Sequence, residues 1–385
     1  MGTTNSRRLA PWWTAACGVQ TYPVRRVVLV VVHSVAAGER LIAAVRAVEG
    51  VAGVQVVFTR PPGPPDDRVA EFLAAADALT TPWDRAARER FDLVVAAGPA
   101  GVGPLPGALL LLPEVSPDGE VVDHHGRRCV RALGDLLRGR EGRDDVVVVG
   151  LPHGGAVSRL ERAAPDVGRC AVVVGDPVYD ALLGAIVERD GHRERQGVRL
   201  GRRLGVVLSS RGSGSLLGRS PALLERIAAE SAVSGDRWVC YVHPDVWVRH
   251  GRRQVLAWTG AEARERVRFL PLGQGWQGPV AAADFVIGDQ GTATAYAAAA
   301  GRPVSLARPA PAAGRGSLAE AVGRYAAILD PAAPLRAQLD RAARPSAPVA
   351  RRVTSVPGRS AGVLRMVCLC LLGITDSAPH RAEDV

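Results

Sequence analysis

The chain has 385 residues and a mass of 40.4 kDa, and its 47% apolar and 22% charged residues are typical of a globular protein long enough for two domains. Its formal charge is +10, and every basic side chain other than histidine is arginine, because the sequence has no lysine. Arginine favours planar contacts with phosphate and carboxylate, so the charge favours an anionic ligand and gives only weak support for nucleic acid, which we do not expect as a partner.

The cysteines and the apolar runs argue against metal-binding, disulfide-bonded, secreted and membrane-spanning classes of protein. The six cysteines form no Cys-x-x-Cys pair, so the sequence predicts neither a zinc site nor a disulfide framework. The N-terminal residues lack the positive region and apolar core of a secretory signal. The longest apolar run near the C-terminus, 361–373, is interrupted by Arg365 and is too short to span a bilayer. We therefore expect a cytoplasmic protein, and the sequence leaves peripheral contact with the inner membrane face open.

Residues 1–24 have no usable periodicity and are predicted to form a loose leader, followed by a first domain over residues 25–187. This domain opens with a run of valine and leucine that ends at His33, a pattern typical of a parallel strand buried on both faces. Further strands are predicted at 54–59, 92–97, 108–112, 145–150 and 170–174, and helices at 37–48, 67–79 and 128–137. Strands that alternate with helices indicate right-handed βαβ units.

A polar, charged segment, 188–203, is predicted to link this domain to a second one over residues 204–331. The second domain repeats the alternation, with strands from residue 204 and at 237–243, 267–271, 285–287 and 303–306, and helices at 221–232, 246–258 and 292–301. Residues 332–385 are predicted to be a Pro-, Ala- and Arg-rich extension with a terminal helix. The fold class is therefore α/β, with two Rossmann-like, doubly wound parallel-sheet domains that face a cleft. Ligands of such sheets bind at the carboxyl ends of the strands.

Two loops of the second domain carry groups suited to a phosphate. The loop after the strand that starts at residue 204 has hydroxyls, an arginine, and glycines that let backbone N–H groups approach an anion. Its candidate residues are Ser209, Ser210, Arg211, Gly212 and Gly214. His243 ends the next strand and can donate to a phosphate. A plain turn for the first loop and a helix cap for the second are the alternatives.

A third candidate is the turn at 288–291 with the helix that begins after it. A helix that starts directly after a strand presents unpaired N–H groups and the positive end of the helix dipole, which favours an anion. The candidate residues are Asp289, Gly291, Thr292 and Thr294. An alanine-rich helix between strands is also ordinary packing, but packing does not explain the polar cluster at its start.

His153 follows a first-domain strand and is the candidate general base toward an acceptor hydroxyl, because a neutral imidazole near its ordinary pKa accepts a proton at neutral pH. His33 holds a similar position and is the rival base, whereas His124 and His125 are predicted to lie in a solvated turn. No cluster of carboxylates or histidines has metal spacing. We therefore expect a metal-independent transfer with no cofactor besides the nucleotide-activated donor.

Six short segments follow one another along the chain: His153-Gly154, GDPVYD at 175–180, the Ser/Gly loop, His243-Pro244, GDQGT at 288–292 and Gly301-Arg302-Pro303-Val304. In this order they resemble the CDP-glycerol glycerophosphotransferases, which belong to the two-domain nucleotide-dependent transferases with the GT-B fold. The resemblance extends from residue 33 to residue 307. The family's His-Gly-Thr-Pro-Leu-Lys reads His-Gly-Gly-Ala-Val-Ser here, without the lysine, and its Asp-Tyr-Ser-Ser reads Asp-Gln-Gly-Thr.

The resemblance implies that the second domain holds the nucleotide phosphates and that His153 activates the acceptor. The residues implied near the phosphates are Ser210, Arg211, His243, Asp289 and Thr292. It further implies a transferase that moves a polyol phosphate or glycosyl group from a CDP- or UDP-linked donor to an acceptor hydroxyl, in cell-envelope polymer synthesis. Two alternatives stay open: a sugar-nucleotide epimerase or hydrolase on the same fold, and a non-catalytic GT-B-like binding protein. The acceptor and the oligomeric state are also open.

Overall fold

The computed structural model describes residues 22–62, 67–308, 316–342, 344 and 347–374, so most of the predicted leader lies outside the described residues. The first sheet is built from β1 (Arg26–Val31), β2 (Val54–Thr59), β3 (Leu93–Ala96), β4 (Ala108–Leu111), β7 (Val147–Leu151) and β8 (Ala171–Val173). These six strands are parallel and lie in the order β2-β1-β3-β4-β7-β8. A short antiparallel hairpin, β5 (Glu114–Val115) and β6 (Val121–Val122), follows β4.

Helices cover both faces of the first sheet. They are α1 (Val35–Glu49), α2 (Asp67–Ala75), α3 (Trp83–Ala86), α4 (Val130–Arg138), α5 (Gly154–Ala163) and α6 (Pro165–Gly168). Side chains of β1 pack alternately into the apolar layers on the two faces, and Val28, Leu29 and Val30 are fully buried. Burial on both faces explains why this strand is an unbroken aliphatic run in the sequence.

The second sheet repeats this architecture. Its strands are β9 (Leu204–Ser209), β10 (Arg237–Val242), β11 (Val267–Phe269), β12 (Phe285–Gly288), β13 (Val304–Leu306) and β14 (Ala327–Ile328). They are parallel, in the order β11-β10-β9-β12-β13-β14. The helices between 177 and 299 are α7 (Pro177–Val187), α8 (Arg189–Arg195), α9 (Leu216–Arg219), α10 (Ala222–Ser234), α11 (Pro244–His250), α12 (Arg252–Trp258), α13 (Ala261–Arg266), α14 (Gln277–Ala282) and α15 (Thr292–Ala299). The predicted α/β fold class with two parallel-sheet domains is therefore confirmed.

The chain after β13 first adds helices to the second sheet and then returns to the first sheet with its last described helix. It forms α16 (Leu318–Tyr325), α17 (Leu335–Leu339), α18 (Ala347–Val353) and α19 (Ser360–Leu372). Leu364 and Cys368 of α19 pack into the apolar layer between α1 and the first sheet, and Arg26 Nε donates to the carbonyl oxygen of Leu372 at 2.8 Å. Among the described helices, none is long and apolar enough to cross a membrane.

Packing crosses the domain limits that the sequence predicts. α7 lies within the predicted first domain, yet its Tyr179 and Leu182 belong to the apolar core of the second sheet. The predicted linker, 188–203, contains the helix α8. Residues 332–385, predicted as an extension, include the helix that packs on the first sheet. The exact limits of the two domains therefore stay a prediction.

Several helices differ from those that the sequence predicts. The predicted helix 246–258 is divided at Gly251, whose φ of 73° is a left-handed backbone conformation that ends α11 before α12 begins. α5 and α7 are not predicted at all. Each follows a capping side chain: His153 Nδ1 accepts from Ala156 N at 3.1 Å, and Asp176 Oδ1 accepts from Val178 N at 2.9 Å. His153 lies where the sequence predicts a loop after a strand, and the segment that starts at Asp176 is given no predicted element.

Asp180 of α7 holds the start of α19. Its carboxylate accepts from the backbone N–H groups of Gly358 at 2.6 Å and Ser360 at 2.8 Å, and from the Ser360 hydroxyl at 2.5 Å. Because these bonds to a charged acceptor cap a helix N-terminus, we expect Asp180→Ala to lower the free energy of unfolding by about 2 kcal/mol. Denaturant unfolding measures this loss, and amide hydrogen exchange should rise across residues 360–372.

The matched control is Asp166→Ala, which removes a carboxylate that is 72% exposed and pairs with Arg169 on the surface. Such a pair contributes little to stability, so this variant should keep the protection of α19. Unchanged hydrogen exchange in α19 after Asp180→Ala would contradict the assigned role.

Candidate functional site

A cavity of about 320 Å³ lies between the carboxyl ends of the two sheets, a volume at the lower end of the range for small-molecule sites. One wall is formed by the segments that follow β9, β10 and β12. The facing wall is formed by α1 and the β5–β6 hairpin, and the starts of α7 and α14 complete the lining. The carboxyl edge of a doubly wound sheet is the usual place for a ligand, so this cavity is the candidate site.

Asp289 organises the second-domain wall. Its carboxylate is 4% exposed and accepts from Ser210 N at 2.8 Å, Ser210 Oγ at 3.0 Å, Leu216 N at 2.8 Å and Gly291 N at 2.9 Å. The loop after β9 thus gives two backbone donors and a hydroxyl to a protein carboxylate. Asp289 therefore shapes the wall from behind, and those donors are already occupied.

The start of α15 faces the cavity. Gly288 permits the tight turn, because a Cβ there would lie 2.1 Å from Oγ1 of Thr294. Oγ1 of Thr294 is buried without a hydrogen-bond partner among the described residues. Thr292 and Thr294 both line the cavity, and the first N–H groups of a helix have no partner within the helix. This end of α15 can therefore donate to an anion.

His243 is a second donor on the same wall. Its Nδ1 accepts from Asp245 N at 3.2 Å and caps α11, which assigns the ring proton to Nε2. Burial lowers the pKa of His243 below its ordinary value, although the carboxylate of Asp245 opposes the shift. The imidazole is therefore neutral at pH 7, and the donor it offers in the cavity is Nε2–H.

The two arginines in the lining already have partners. Arg211 donates to the carbonyl oxygen of His124 at 2.9 Å and forms an ion pair with Asp245. Arg40 donates to the carbonyl oxygen of Leu112 at 3.3 Å and lies 3.8 Å from Oε2 of Glu114. Arg211 therefore joins the second-domain loop to the hairpin of the first domain. Each guanidinium is held in place before any ligand binds.

Two carboxylates lie on the first-domain wall, and the sequence reasoning missed both. Glu114 follows β4 and accepts from Oγ1 of Thr292 at 3.0 Å, across the cavity. Glu39 lines the cavity from α1. Burial raises the pKa of Glu39 from its ordinary 4.5 to about 7. Glu39 is therefore poised to exchange a proton near neutral pH.

His153 lies outside this lining. It lines a small neighbouring cavity with Arg159 and Arg352, and burial, with these two cations, lowers its pKa to about 4. Its Nδ1 accepts from Ala156 N, which assigns the ring proton to Nε2. To take an acceptor proton at Nδ1, the ring has to give up the cap of α5. Its role as general base stays a prediction.

His33, the rival base, also lies outside the lining. Its Nε2 is 2.7 Å from the carbonyl oxygen of Ala100, and its ring stacks on His124 with centroids 4.6 Å apart. Burial lowers the pKa of His33. His124 is half-buried by this stacking, whereas His125 beside it is exposed, so only part of the predicted turn is solvated.

The structure gathers eight of the ten predicted ligand residues around the cavity. They are Ser209, Ser210, Arg211, His243, Asp289, Gly291, Thr292 and Thr294. Gly212 and Gly214 are exposed on the outer part of their loop. Among the residues that the structure describes, no group of three or more His, Cys, Asp or Glu is arranged to hold a metal ion. Which of the gathered residues contacts a ligand stays a prediction.

The spacing of residues along α1 partly indicates the first-domain wall of the cavity, which the sequence did not predict. The α1 residues in the lining are Ala36, Glu39, Arg40 and Ala43, and steps of three and four place them on one face of the helix. The opposite face, with Leu41 and Val45, is buried in the apolar core. Periodicity thus indicates a polar face, but it does not distinguish a face toward a cleft from a face toward solvent.

No protein-family model matches the chain, and a search of curated proteins finds no significant match. Solved structures with a similar fold include MnaA from S. aureus with UDP, at a TM-score of 0.56 and 11% identity over 92% of this chain and 99% of that chain. Others are the UDP-GlcNAc 2-epimerase from Neisseria meningitidis bound to UDP-GlcNAc (TM-score 0.52, 11% identity, 89% and 100% covered) and the wall teichoic acid polymerase TagF with CDPG (TM-score 0.52, 10% identity, 91% and 90% covered).

These neighbours are GT-B-like enzymes of nucleotide-activated substrates, and they share the fold of this chain over nearly its whole length. Identities of 10–11% establish the fold alone. The GT-B-like fold that the resemblance implies is thus confirmed, and the family itself stays a prediction.

The burial of Glu39 predicts a pH-dependent stability. The folded-state pKa of Glu39, about 7, exceeds its ordinary value of 4.5. Below about pH 4.5 the group is protonated in both the folded and the unfolded chain, so its burial does not lower the free energy of unfolding. Between about pH 4.5 and 7 the unfolded chain ionises more readily, so the loss of stability grows, and it levels off once Glu39 also ionises in the fold above about pH 7. Glu39→Gln removes it. We expect the variant to gain about 1–3 kcal/mol over the wild type at about pH 8 and much less at about pH 5, measured by denaturant unfolding.

Glu49→Gln is the matched control, because this exposed carboxylate ends the same helix. Its difference from the wild type should stay near zero at both pH values. An equal gain for both variants, or a Glu39→Gln gain that does not vary with pH, would contradict the assignment.

Proposed function

We propose that the cavity binds a nucleotide-activated substrate and that the chain transfers a polyol phosphate or glycosyl group from it to an acceptor hydroxyl. The supporting observation is the opposition of two walls across about 320 Å³. The start of α15 and Nε2–H of His243 supply anion donors on one wall, and Glu39 and Glu114 supply carboxylates on the other. The ligands in the solved structures of these fold neighbours, UDP, UDP-GlcNAc and CDPG, are nucleotide conjugates or their product, which supports this substrate class.

In the proposed reaction, the acceptor oxygen bonds to the transferred phosphorus or anomeric carbon while the bond from that atom to the nucleotide phosphate breaks. The acceptor proton passes to the carboxylate of Glu39, whose pKa of about 7 suits a base at neutral pH. Negative charge develops on the departing phosphate. The N–H groups of α15 and His243 stabilise that charge, and preorganised donors of this kind usually give the largest catalytic term. The proposed reaction needs no resident cofactor.

Epimerisation or hydrolysis of a sugar nucleotide is the second candidate. It is favoured by the presence of two carboxylates on one wall, since moving a proton off and back onto a carbon requires an acid and a base. Glu114 is fixed by Thr292 and Arg40, whereas no hydrogen bond or ion pair of Glu39 is found among the described residues.

Product analysis without an acceptor separates the two candidate reactions, because only epimerisation or hydrolysis proceeds without one. Nucleotide binding without turnover in any assay would favour a non-catalytic binding protein.

Nucleotide binding is the first test. Isothermal calorimetry with CDP, UDP and their glycerol and sugar conjugates should detect binding at or below about millimolar concentration, the affinity that a few charge-assisted hydrogen bonds supply. His243→Ala removes one neutral donor to the phosphate and should weaken binding by about tenfold. The control is His250→Ala, which removes an exposed histidine from the end of the same helix. No binding by the wild type, or equal weakening by both variants, would overturn the proposal.

The proton acceptor is the second test. Glu39→Gln keeps the side-chain shape and should lower turnover by about 10² to 10⁴ with nucleotide affinity nearly unchanged. The wild-type kcat/KM should rise with pH through about 7, as Glu39 ionises, and the variant should lose this rise. His153→Ala is measured beside it. Full activity in Glu39→Gln together with loss in His153→Ala would assign the base to His153 instead.

A further inference from the structure

We propose that a basic groove on the far side of the second domain binds the surface of an anionic phospholipid membrane. The groove has a volume of about 590 Å³ and is lined by six arginines. These are Arg199, Arg202, Arg237, Arg264, Arg266 and Arg268. The inference is independent of the chemistry proposed for the cleft.

The groove lies at the edge of the second sheet opposite to the cleft. Arg237 is the first residue of β10, and Arg266 directly precedes β11. The register pairs Trp238 with Val267, so the preceding residues, Arg237 and Arg266, come side by side at the amino ends of the strands. A six-residue strand such as β9 is about 20 Å long. That length separates the groove from the candidate site, so both can be occupied at once.

The groove arginines lack acidic partners, whereas Arg211 of the same domain pairs with Asp245. The lining holds two carboxylates, Asp236 and Glu265, and Asp236 already pairs with Arg203 at 3.5 Å and Arg336 at 2.5 Å. Within the described ranges of the chain, none of the six groove arginines forms a salt bridge with a carboxylate. All six are exposed. The groove therefore carries a net positive charge that the protein itself does not neutralise.

Exposed aliphatic side chains at the rim decide between a membrane and a soluble polyanion. Leu200, between Arg199 and Arg202, has a relative exposure of 105%, and Val233, two residues before Gly235 of the lining, has 90%. A soluble polyanion gives such side chains no apolar environment. A lipid surface does, because aliphatic groups enter the boundary between head groups and acyl chains while arginines pair with the phosphates. Charge and apolar rim together therefore fit an anionic membrane.

The test is co-sedimentation of the full chain with vesicles of phosphatidylcholine alone or with about a third phosphatidylglycerol, at low and at physiological ionic strength. Binding should require the anionic lipid and weaken with salt. Replacing Arg264, Arg266 and Arg268 by glutamine should raise the lipid concentration at half-binding by about a hundredfold, at about fivefold per charge removed.

The matched control replaces Arg88, Arg131 and Arg162, three exposed arginines of the first domain, and removes the same net charge. It should bind vesicles like the wild type.

The double variant Leu200→Ser, Val233→Ser should bind vesicles less well but bind a soluble polyphosphate as the wild type does. Equal losses in the two triple variants would indicate non-specific attraction and overturn the proposal. Binding of polyphosphate or duplex DNA to the groove without vesicle binding would overturn it as well. Thermal unfolding confirms that each variant folds.

Discussion

The candidate site depends on one buried carboxylate, that of Asp289. It fastens the loop after β9 to the turn after β12 through four hydrogen bonds of 2.8 to 3.0 Å. Without it, the buried N–H groups of Ser210 and Leu216 would need other acceptors, which costs about 1–3 kcal/mol each. Because those donors are occupied, an incoming anion meets the start of α15 and His243. The carboxylate thereby determines which groups of the wall remain for a ligand.

The lining contains four carboxylates and two arginines, which at first opposes the binding of an anion. Each carboxylate, however, has a neutralising environment. Asp289 accepts four hydrogen bonds, Asp176 accepts from the start of α7 and from the Tyr296 hydroxyl, and Glu114 lies by Arg40 and Thr292. Glu39 keeps its proton up to about pH 7, where its pKa lies. The dipole of α15 and the neutral Nε2–H of His243 therefore decide the potential that a phosphate meets.

The sequence predicts the strands well because strands buried on both faces of a parallel sheet are unbroken apolar runs, as in β1 and β9. Such a run is recognisable from the local sequence alone. It predicts the second-domain wall because the polar residues after β9, β10 and β12 follow such runs directly. The first-domain wall escapes prediction, since Glu39 lies on a helix whose polar face looks the same whether it meets solvent or a cleft. The sequence does not identify His153 and Asp176 as helix caps, because a capping residue is recognised only when the helix after it is predicted. Neither helix is predicted, since α5 begins with two glycines and α7 begins with a proline.

The distribution of arginine corrects the simplest interpretation of the +10 charge. A strongly basic chain whose cleft is proposed to bind a phosphate suggests that arginines line that cleft, yet the two that do are held by Asp245, by Glu114 and by carbonyl oxygens. Six arginines that form no salt bridge with a carboxylate within the described ranges line the groove at the amino ends of the second sheet instead, where helix dipoles provide no anion site. The formal charge of the chain thus indicates little about the cleft, because the N–H donors fixed there carry no net charge. It indicates more about the groove at the amino ends of the strands, where only side chains can supply a positive potential.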